Sequence, residues 1–492
     1  MKKKISDFTS NLLNKFNNKY KSHLFKIYKN SEEKNKKMLH KIEYKINFLE
    51  NLILESKEKI HESHINIEKH INDIHHHIHL SVKSSDSSSR FNLKKLNGKI
   101  KILFLIHNVD AWISICDVIY KALESNYFDV IVCSIPKRFP GETIFSGEEN
   151  VHHFLNENNI NHIRLNMTNS WSALDIIRYL NPDVLFRQSQ WDDDYDIGLR
   201  SDVLSFTRLA YIGYELVNQT ENVHFDDDVI DNATDSHWHR CCWRVYCANG
   251  LVKDRAIAKG RMQGRQFVVT GHPKVEYLLR AKPSWPSSVI PQKKRLVWSA
   301  HHTITNNWSS FGMFHLIWNE MLAWASKDKS IEFVFSPHPA LLSILKSDNI
   351  PMRREDVEFF FSEWNNLDNT FIFYGGDYSG IMAASDVLFS DSLSMPTEYQ
   401  LRNKPIVFLD RKDRIKFNNI GEIIEQGFHK CSNFEDAKNL AIKFLNGERD
   451  PLKEIQKKNM NLLFGEINCA QRILENIIIS IKNEYLDINN YL

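Results

Sequence analysis

The sequence predicts an α/β protein with two doubly wound, Rossmann-like domains that face a cleft, preceded by an α-helical and coiled-coil extension. Short apolar runs typical of buried strands alternate with helical segments from Lys99 onward. Several of these runs stop where Ser, His, Asp or Glu begins, as parallel strands do at their carboxyl ends. Isoleucines at heptad spacing upstream predict the extension.

Composition restricts the class of protein. The chain has 492 residues, 42% of them hydrophobic, and a net charge of only +2, which argues against nucleic-acid binding by bulk electrostatics. The seven cysteines have no regular spacing, so a disulfide framework is not expected and a reducing, cytoplasmic compartment is favoured. No apolar run approaches the roughly 20 residues that a membrane-spanning helix needs, and no signal peptide is expected.

Residues 1–30 predict a basic amphipathic helix. Eight lysines stand against one acid, Asp7. Apolar residues recur there at helical spacing: Ile5, Phe8, Leu12, Phe16, Tyr20 and Ile27. Such a helix can lie on an anionic bilayer, which would make the protein peripheral to the inner face of the cell membrane. The alternative is a solvated helix that packs its apolar stripe on the protein.

Residues 31–80 predict a coiled coil and therefore a homo-oligomer. Isoleucine occurs at every seventh position at Ile46, Ile53, Ile60, Ile67 and Ile74. The second apolar position of the heptad is occupied by Ile42 and Leu49 and then by serine or histidine, which leaves the oligomeric state open. Seven histidines between positions 61 and 79 either bind a metal or form a polar face. The serine-rich residues 81–98 are expected to be a linker.

The two α/β domains follow this linker. The N-terminal domain, residues 99–273, is expected on the acceptor side, with strands at 99–106, 130–134, 183–186 and 267–270 and helices at 112–123 and 151–156. Residues 274–294 contain three prolines and several serines and predict the interdomain connection. The C-terminal domain, residues 295–445, repeats the pattern, with strands at 295–300, 331–335, 371–374, 386–389 and 405–409. Residues 446–492 predict terminal helices, one of which crosses back to the first domain.

Residues 335–410 predict a phosphate-binding edge of a parallel sheet. One strand ends in Ser336-Pro337-His338-Pro339, and the next is followed by Asp391-Ser392. A helix beginning near Ser394, with Pro396 tolerated in its first turn, would direct backbone N–H groups into the crevice. This geometry suits the diphosphate of a nucleotide on the second domain.

The run FSDSLSMPTEYQLRNKPIVFLD, together with the preceding His-Pro pair and GHPKVEYLL, resembles the CDP-glycerol:poly(glycerophosphate) glycerophosphotransferase family of teichoic-acid and capsule synthesis. The resemblance covers roughly residues 100–445. It implies a GT-B fold, a CDP-activated donor bound mainly by the C-terminal domain, and a lipid-linked or polymeric glycan acceptor. A glycerol-phosphate or related alditol-phosphate unit would be transferred. Members of the teichoic-acid branch usually carry a WHGTPLK-like stretch with a catalytic histidine, whereas its counterpart here, residues 211–215, has none.

Transfer from such a donor requires groups that offset charge on the phosphate oxygens and a base that takes the acceptor proton. Candidate donor-binding residues are His272, Pro337, His338, Ser390, Asp391, Ser392, Ser394 and Glu398. Candidate catalytic residues are His107, Asp110, Glu215 and His338, the first three as possible bases. Structural alternatives are helix capping for the serines and His338, dipole complementation for Glu398 and hinge bracing for His272.

Several acidic, cysteine and histidine residues allow a metal site to be considered, and two other functions fit the same fold. The acidic runs 192–194 and 226–228 could hold Mg²⁺ but equally form solvated loops, and the cysteines and histidines of residues 237–247 fit no standard zinc spacing. No metal or cofactor is expected. The rival functions are a GT-B glycosyltransferase that uses a nucleotide sugar or CMP-sialic acid, and a nonenzymatic scaffold of a capsule assembly complex.

Overall fold

The computed structural model describes residues 9–12, 14–21, 44–54, 56–61, 63–64, 67, 71, 98–138, 142, 144–221, 231–288, 293–305, 309–347 and 350–489, with side chains to 484. The chain divides into two compact units, residues 1–82 and 83–492. Within the described residues, no helix is both long enough and apolar enough to span a bilayer.

The N-terminal unit is helical where it is described, at residues 9–12, 14–21, 44–54 and 56–61. Leu12, in the segment 9–12, and Phe16 and Tyr20, in the segment 14–21, are all exposed. The heptad residues Ile60, in the segment 56–61, and Ile67 are also exposed. The heptad position 74, five of the seven histidines and residues 81–97 of the expected linker lie outside the described residues.

The first lobe of the second unit contains a parallel sheet of seven strands. These are β1 (Ile100–Ile106), β2 (Phe128–Ser134), β3 (Ile163–Arg164), β4 (Val184–Arg187), β5 (Arg208–Ile212), β6 (Arg244–Cys247) and β7 (Phe267–Val269). Their order is β3-β2-β1-β4-β5-β6-β7. The sheet is buried on both faces, since Phe104 and Leu105, adjacent in β1, pack into different core clusters.

Helices cover both faces of this sheet. They are α1 (Cys116–Glu124), α2 (Glu148–Glu157), α3 (Ser170–Leu180), α4 (Ser201–Leu204), α5 (His237–Cys241), α6 (Gly250–Lys259) and α7 (Pro273–Arg280), with 3-10 turns at Trp112–Ser114, Asp192–Asp194 and Ile197–Leu199. Val118 of α1 packs on one side of the sheet and Leu174 of α3 on the other. The sheet is therefore doubly wound.

The second lobe repeats this architecture with six parallel strands. These are β8 (Lys294–Ala300), β9 (Ile331–Pro337), β10 (Thr370–Ile372), β11 (Val387–Ser390), β12 (Ile406–Leu409) and β13 (His429–Cys431), in the order β10-β9-β8-β11-β12-β13. Its helices are α8 (Phe314–Lys327), α9 (Pro339–Ile344), α10 (Arg354–Asn366), α11 (Ser379–Ala384), α12 (Ser394–Gln400), α13 (Asn419–Glu425) and α14 (Phe434–Leu445). Trp298 of β8 is 1% exposed, stacks on Phe314 and packs at a tilt against Phe335 in an aromatic core.

Two helices complete the chain, α15 (Lys453–Phe464) and α16 (Cys469–Asn489). α16 returns to the first lobe, where Ile473 and Ile477 are fully buried in the core beneath β1. The Glu484 carboxylate accepts hydrogen bonds of 2.8 Å from both Trp243 and Arg208. A terminal helix therefore crosses back to the first domain, as the sequence predicts.

Some elements differ from the sequence prediction. Residues 274–294, expected as a connection, begin within the helix α7, because His272 caps it, Pro273 opens it and Val275 and Leu278 are buried. The strands β3, β6 and β13 were not predicted. β13 reads His-Lys-Cys and lies at a sheet edge, so it lacks the apolar run that identifies buried strands.

Candidate functional site

Three histidines lie together at the carboxyl edge of the second sheet. β8 and β9 end in register, Ala300 beside Pro337, so the residues that follow each strand become neighbours. The ring centroids of His302 and His338 are 4.3 Å apart, and those of His301 and His338 are 5.8 Å apart. Ligands of open α/β sheets bind at this edge.

Part of His338 is exposed at the surface, whereas protein surrounds the rest of the residue. That burial lowers the pKa of His338 well below its ordinary value, and the neighbouring His302 adds to the effect. Its Nδ1 accepts a hydrogen bond of 3.2 Å from the backbone N–H of Ala340 and caps α9. A neutral imidazole that accepts at Nδ1 carries its proton on Nε2, so His338 offers an N–H donor. Capping and ligand binding are thus compatible.

Ser390 ends β11, Asp391 and Ser392 begin the turn that follows, and all three are buried. The carboxylate of Asp391 accepts hydrogen bonds from the backbone N–H groups of His301, at 2.7 Å, and Met313. Burial raises the pKa of Asp391 to about 7, with these backbone donors opposing the effect. Asp391 therefore positions the turn that carries His301.

The hydroxyl groups of this turn contact one another. Ser392 Oγ lies 3.0 Å from the Oγ atoms of both Ser299 and Ser390. Ser394 is the first residue of α12, as the sequence predicts, and is half-buried. The capping alternative fails for Ser394, because Leu393 occupies the N-cap position and makes no side-chain cap bond.

Glu398 lies in a buried ionic cluster between the lobes. Its Oε1 accepts from Lys274 Nζ at 2.5 Å, and its Oε2 accepts from the Tyr378 hydroxyl at 2.5 Å. Both members of the Lys274–Glu398 pair are at least 95% buried. Both carboxylate oxygens are therefore engaged within the protein, which differs from the expected contact with ribose hydroxyls or a helix dipole.

Glu215 follows β5 and lies near this cluster. Burial raises the pKa of Glu215 to about 7; Lys274 opposes this effect and Glu398 adds to it. The backbone carbonyl of the preceding residue, Tyr214, accepts from Lys274 Nζ at 2.9 Å. Glu215 is half-buried and can gain or lose a proton near neutral pH.

His272 braces the turn between β7 and α7. Its Nδ1 accepts from the backbone N–H of Lys274 at 3.2 Å, so its Nε2 donates to the carbonyl of Gly213 at 2.8 Å. Burial lowers the pKa of His272 to about 3. Both ring nitrogens are used within the fold, which matches the bracing alternative.

His107 is buried at the end of β1. The Tyr195 hydroxyl accepts from the Ser189 backbone N–H at 2.9 Å and lies 3.1 Å from His107 Nδ1, so its own proton is directed to that nitrogen. This places the proton of neutral His107 on Nε2. Burial lowers the pKa of His107 well below its ordinary value, and Lys137 and Arg187 contribute. In this state His107 presents a hydrogen-bond donor, which does not suit a base.

Asp110 contacts the second lobe directly. Its Oδ1 accepts from the backbone N–H of Gly376 at 2.5 Å. Gly375 and Gly376 have φ values of +125° and +100°, a region that favours glycine. Because a Cβ on Gly375 would lie 2.8 Å from Asp110 Oδ1, this contact requires glycine there. Asp110 therefore joins the two lobes.

The groups considered for metals have other partners. Asp192 accepts from Arg187 at 2.6 Å and from the Ser201 hydroxyl at 2.6 Å. Ligand atoms of Asp192, Asp202 and His237 lie within 4.8 Å of one another. This group differs from the acidic runs 192–194 and 226–228 that were considered as Mg²⁺ ligands. The residues 226–228 lie outside the described residues. Every cysteine of the chain is free.

Sequence reasoning did not identify His301, His302, Lys274 or Tyr378. The first two directly follow β8, so the rule that found His338 after β9 also applied to them. Lys274 gave no signal, because its partner Glu398 lies 124 residues away in the sequence.

Comparisons with known proteins show the fold. No family model matches the chain, and no curated protein matches it. A co-structure of S. aureus MnaA with UDP matches with TM-score 0.54 and 14% identity, over 78% of this chain and 97% of that chain. UDP-GlcNAc 2-epimerase from Neisseria meningitidis, bound to UDP-GlcNAc, matches with TM-score 0.54 and 14% identity, over 77% of this chain and 100% of that chain. The wall teichoic acid polymerase TagF, soaked with CDPG, matches with TM-score 0.49 and 14% identity, over 85% of this chain and 98% of that chain. The chain thus has an α/β fold of the GT-B type, as the sequence predicts.

Proposed function

We propose that the protein is a transferase that moves a glycerol-phosphate or related alditol-phosphate unit from a CDP-activated donor to a cell-surface polymer or lipid-linked glycan. The observation that carries this proposal is the cluster of His301, His302 and His338 at the carboxyl edge of the second sheet of a GT-B fold. Neutral imidazoles can donate N–H groups to the diphosphate of a nucleotide donor.

The strand order supports a site between the lobes. β10 and β11 flank β9 and β8, which carry the histidines. The loop after β10 contacts Asp110 through Gly376, and α12, after β11, contacts Lys274 through Glu398. The histidines therefore lie between two contacts with the first lobe. A donor bound there would expose its transferred group to first-lobe residues.

Glu215 is the best supported base among the three candidates. Asp110 accepts a backbone N–H and His107 presents a donor, whereas Glu215 has a pKa near 7. In the proposed step the acceptor hydroxyl oxygen attacks the phosphorus that bears the alditol, and its proton passes to Glu215. A new P–O bond forms, the bond to the bridging oxygen breaks, and CMP leaves with its charge offset by the histidines.

The experiment is to incubate the protein separately with CDP-glycerol, CDP-ribitol, CMP-sialic acid and UDP-sugars and to identify the released nucleotide by mass spectrometry. Release of CMP from a CDP-alditol, lost in His338→Ala and retained in His153→Ala, supports the proposal. His153 is a matched control because its side chain is 65% exposed on α2. Release of UDP instead would establish glycosyl transfer or another reaction of a nucleotide sugar and overturn the proposal.

A scaffold function makes a different prediction. In that case the protein would bind no cytidine nucleotide, and polymer synthesis in cells would be unchanged by His338→Ala. Binding of CDP to the purified protein, measured by calorimetry, separates this function from both enzymatic ones.

The N-terminal unit supports two further parts of the proposal. Leu12, Phe16 and Tyr20 form an exposed apolar stripe one helical turn apart, with Lys15 and Lys19 beside it. We propose that this helix lies on an anionic membrane surface. The exposed heptad isoleucines 60 and 67 support a homo-oligomer formed through the coiled coil.

A further inference from the structure

Trp191 lies at the carboxyl edge of the first sheet, after β4. β4 and β5 pair in register, with Arg187 beside Tyr211, so the loops that follow these strands are neighbours. The indole N–H of Trp191 donates to the hydroxyl of Tyr214 at 3.2 Å. The two aromatic side chains are thus held together where the first lobe faces the proposed transfer site.

Trp191 is both fixed and exposed. Its backbone N–H donates to Ser189 Oγ at 3.1 Å, and its carbonyl accepts from the N–H of Asp194 at 3.2 Å. Its side chain nevertheless remains 37% exposed, whereas Trp112 and Trp238 of the same lobe are 4% and 5% exposed. One hydrogen bond holds this ring at the surface and two more fix its backbone, so the exposed ring is suited to contact a ligand.

This ring is close to the proposed base. Tyr214, its hydrogen-bond partner, directly precedes Glu215, and the Tyr214 carbonyl accepts from Lys274. Burial raises the pKa of Tyr214, and the negative charge of the next residue, Glu215, adds to this effect. One hydrogen bond therefore connects the Trp191 ring to the residue that precedes the proposed base.

We propose that the exposed face of Trp191 is a stacking subsite for a pyranose ring of the acceptor glycan. The C–H face of a pyranose is apolar and packs on aromatic rings, while its hydroxyl groups need polar partners at the ring edge. The carboxylate of the adjacent Asp193, 87% exposed, can accept from such hydroxyls. The assignment of this glycan as an acceptor rests on the proposed transferase function; the stacking itself does not.

Saturation-transfer NMR with two pyranose probes, chitotriose and maltotriose, tests the subsite without any donor. At least one probe should receive saturation at the C–H face of one ring with the wild-type protein. Trp191→Ala should weaken its affinity about tenfold, and Trp191→Phe should retain part of the signal. Tyr179→Ala is the matched control, because Tyr179 is 89% exposed on α3 and lies away from the edge loops. Absence of transfer with both probes, or an equal signal in Trp191→Ala, would overturn the proposal.

A parallel titration with CDP distinguishes this inference from the proposed function. Trp191→Ala should leave the Kd for CDP unchanged, because the nucleotide is proposed to bind the second lobe. If the probes bind at Trp191 but CDP does not bind, the subsite stands and the transferase fails. If Trp191→Ala weakens CDP binding as strongly as probe binding, Trp191 belongs to the donor site and the acceptor subsite is wrong.

Discussion

The ammonium group of Lys274 lies 2.5 Å from the carboxylate of Glu398, and both are buried between the two lobes. Lys274 lies in the first turn of α7 and Glu398 lies in α12, so one ion pair links the end of the first sheet to the proposed donor edge of the second. The Tyr378 hydroxyl occupies the other carboxylate oxygen of Glu398. The pair thereby sets the position of α12 relative to Glu215.

Lys274→Met should destabilise the protein by about 3–5 kcal/mol, because it leaves the Glu398 carboxylate buried without its cation. The double change Lys274→Met and Glu398→Gln should recover most of that loss. Chemical denaturation of the two single variants and the double variant measures the coupling. Additive losses in the double variant would show that the two side chains do not interact.

Transfer activity should rise with pH through about 7 and then level, because the Glu215 carboxyl, with a pKa raised to about 7, accepts a proton only when ionised. Glu215→Gln should lower kcat by about 100-fold or more and remove this inflection. Rates of CMP release between pH 5.5 and 9 provide the measurement. An inflection that persists in Glu215→Gln would assign the base elsewhere.

The same pKa affects stability. Between the ordinary value of 4.5 and about 7, folded Glu215 holds a proton that the unfolded chain has lost. The free energy of unfolding should therefore fall as pH rises through this window, and Glu215→Gln should make that fall smaller. Thermal melts of the two proteins at pH 5 and pH 8 measure the difference.

Binding of CDP should be accompanied by proton uptake at pH 7. Burial lowers the pKa of His302 to about 4 and that of His338 well below its ordinary value, so both are neutral without ligand. An adjacent diphosphate favours their charged forms, and uptake of about one proton is expected. Calorimetry in buffers of different ionisation enthalpy measures this number. It should decrease in His338→Asn, and an unchanged value would place the phosphates elsewhere.

Asp391→Asn should destabilise the protein by about 1–3 kcal/mol. The carboxylate accepts from two backbone N–H groups, whereas an asparagine has one acceptor oxygen and would direct its NH₂ group at the second donor. CDP affinity should also fall, because the turn with His301 loosens. Asp368→Asn, at a side chain that is 77% exposed, should change neither quantity. Equal melting temperatures for the two variants would contradict the positioning role of Asp391.

The N-terminal helix should bind vesicles that contain anionic phosphatidylglycerol, and this binding should weaken as salt is added. Replacing Leu12 and Phe16 by serine should reduce the bound fraction severalfold, because the apolar stripe no longer enters the headgroup region. Tyr44→Ser is the control, since Tyr44 is 74% exposed outside this helix. Cosedimentation of the full chain measures binding, and equal pelleting of the variant and the control would exclude the helix as the membrane contact.

Much of the fold could be predicted from apolar runs and the polar residues that end them. The strand before His338 and the start of α12 at Ser394 follow from such local patterns, because a parallel strand buried on both faces is a nearly continuous run of apolar residues. The engagement of Glu398 by Lys274 could not be predicted in this way. It depends on how two domains pack, and neither residue carries a local mark of its partner.

The role of Asp391 shows the same limit. Its position after a strand identified it as a candidate ligand, but its partners are backbone groups of a turn that begins 90 residues earlier. A polar side chain at a strand end can face the crevice or hold the neighbouring turn, and only the folded arrangement of that turn distinguishes the two.

The return of α16 to the first lobe means that the polypeptide passes between the lobes twice, once before β8 and once between α15 and α16. Lobes linked by a single segment can twist freely about it, whereas two separate links define an axis and permit mainly rotation around it. Cys469, where α16 begins, packs so closely on Gly271 that an added Cβ there would lie 2.5 Å from its sulfur. The two lobes should therefore open and close by rotation about a hinge axis near Gly271 and Cys469.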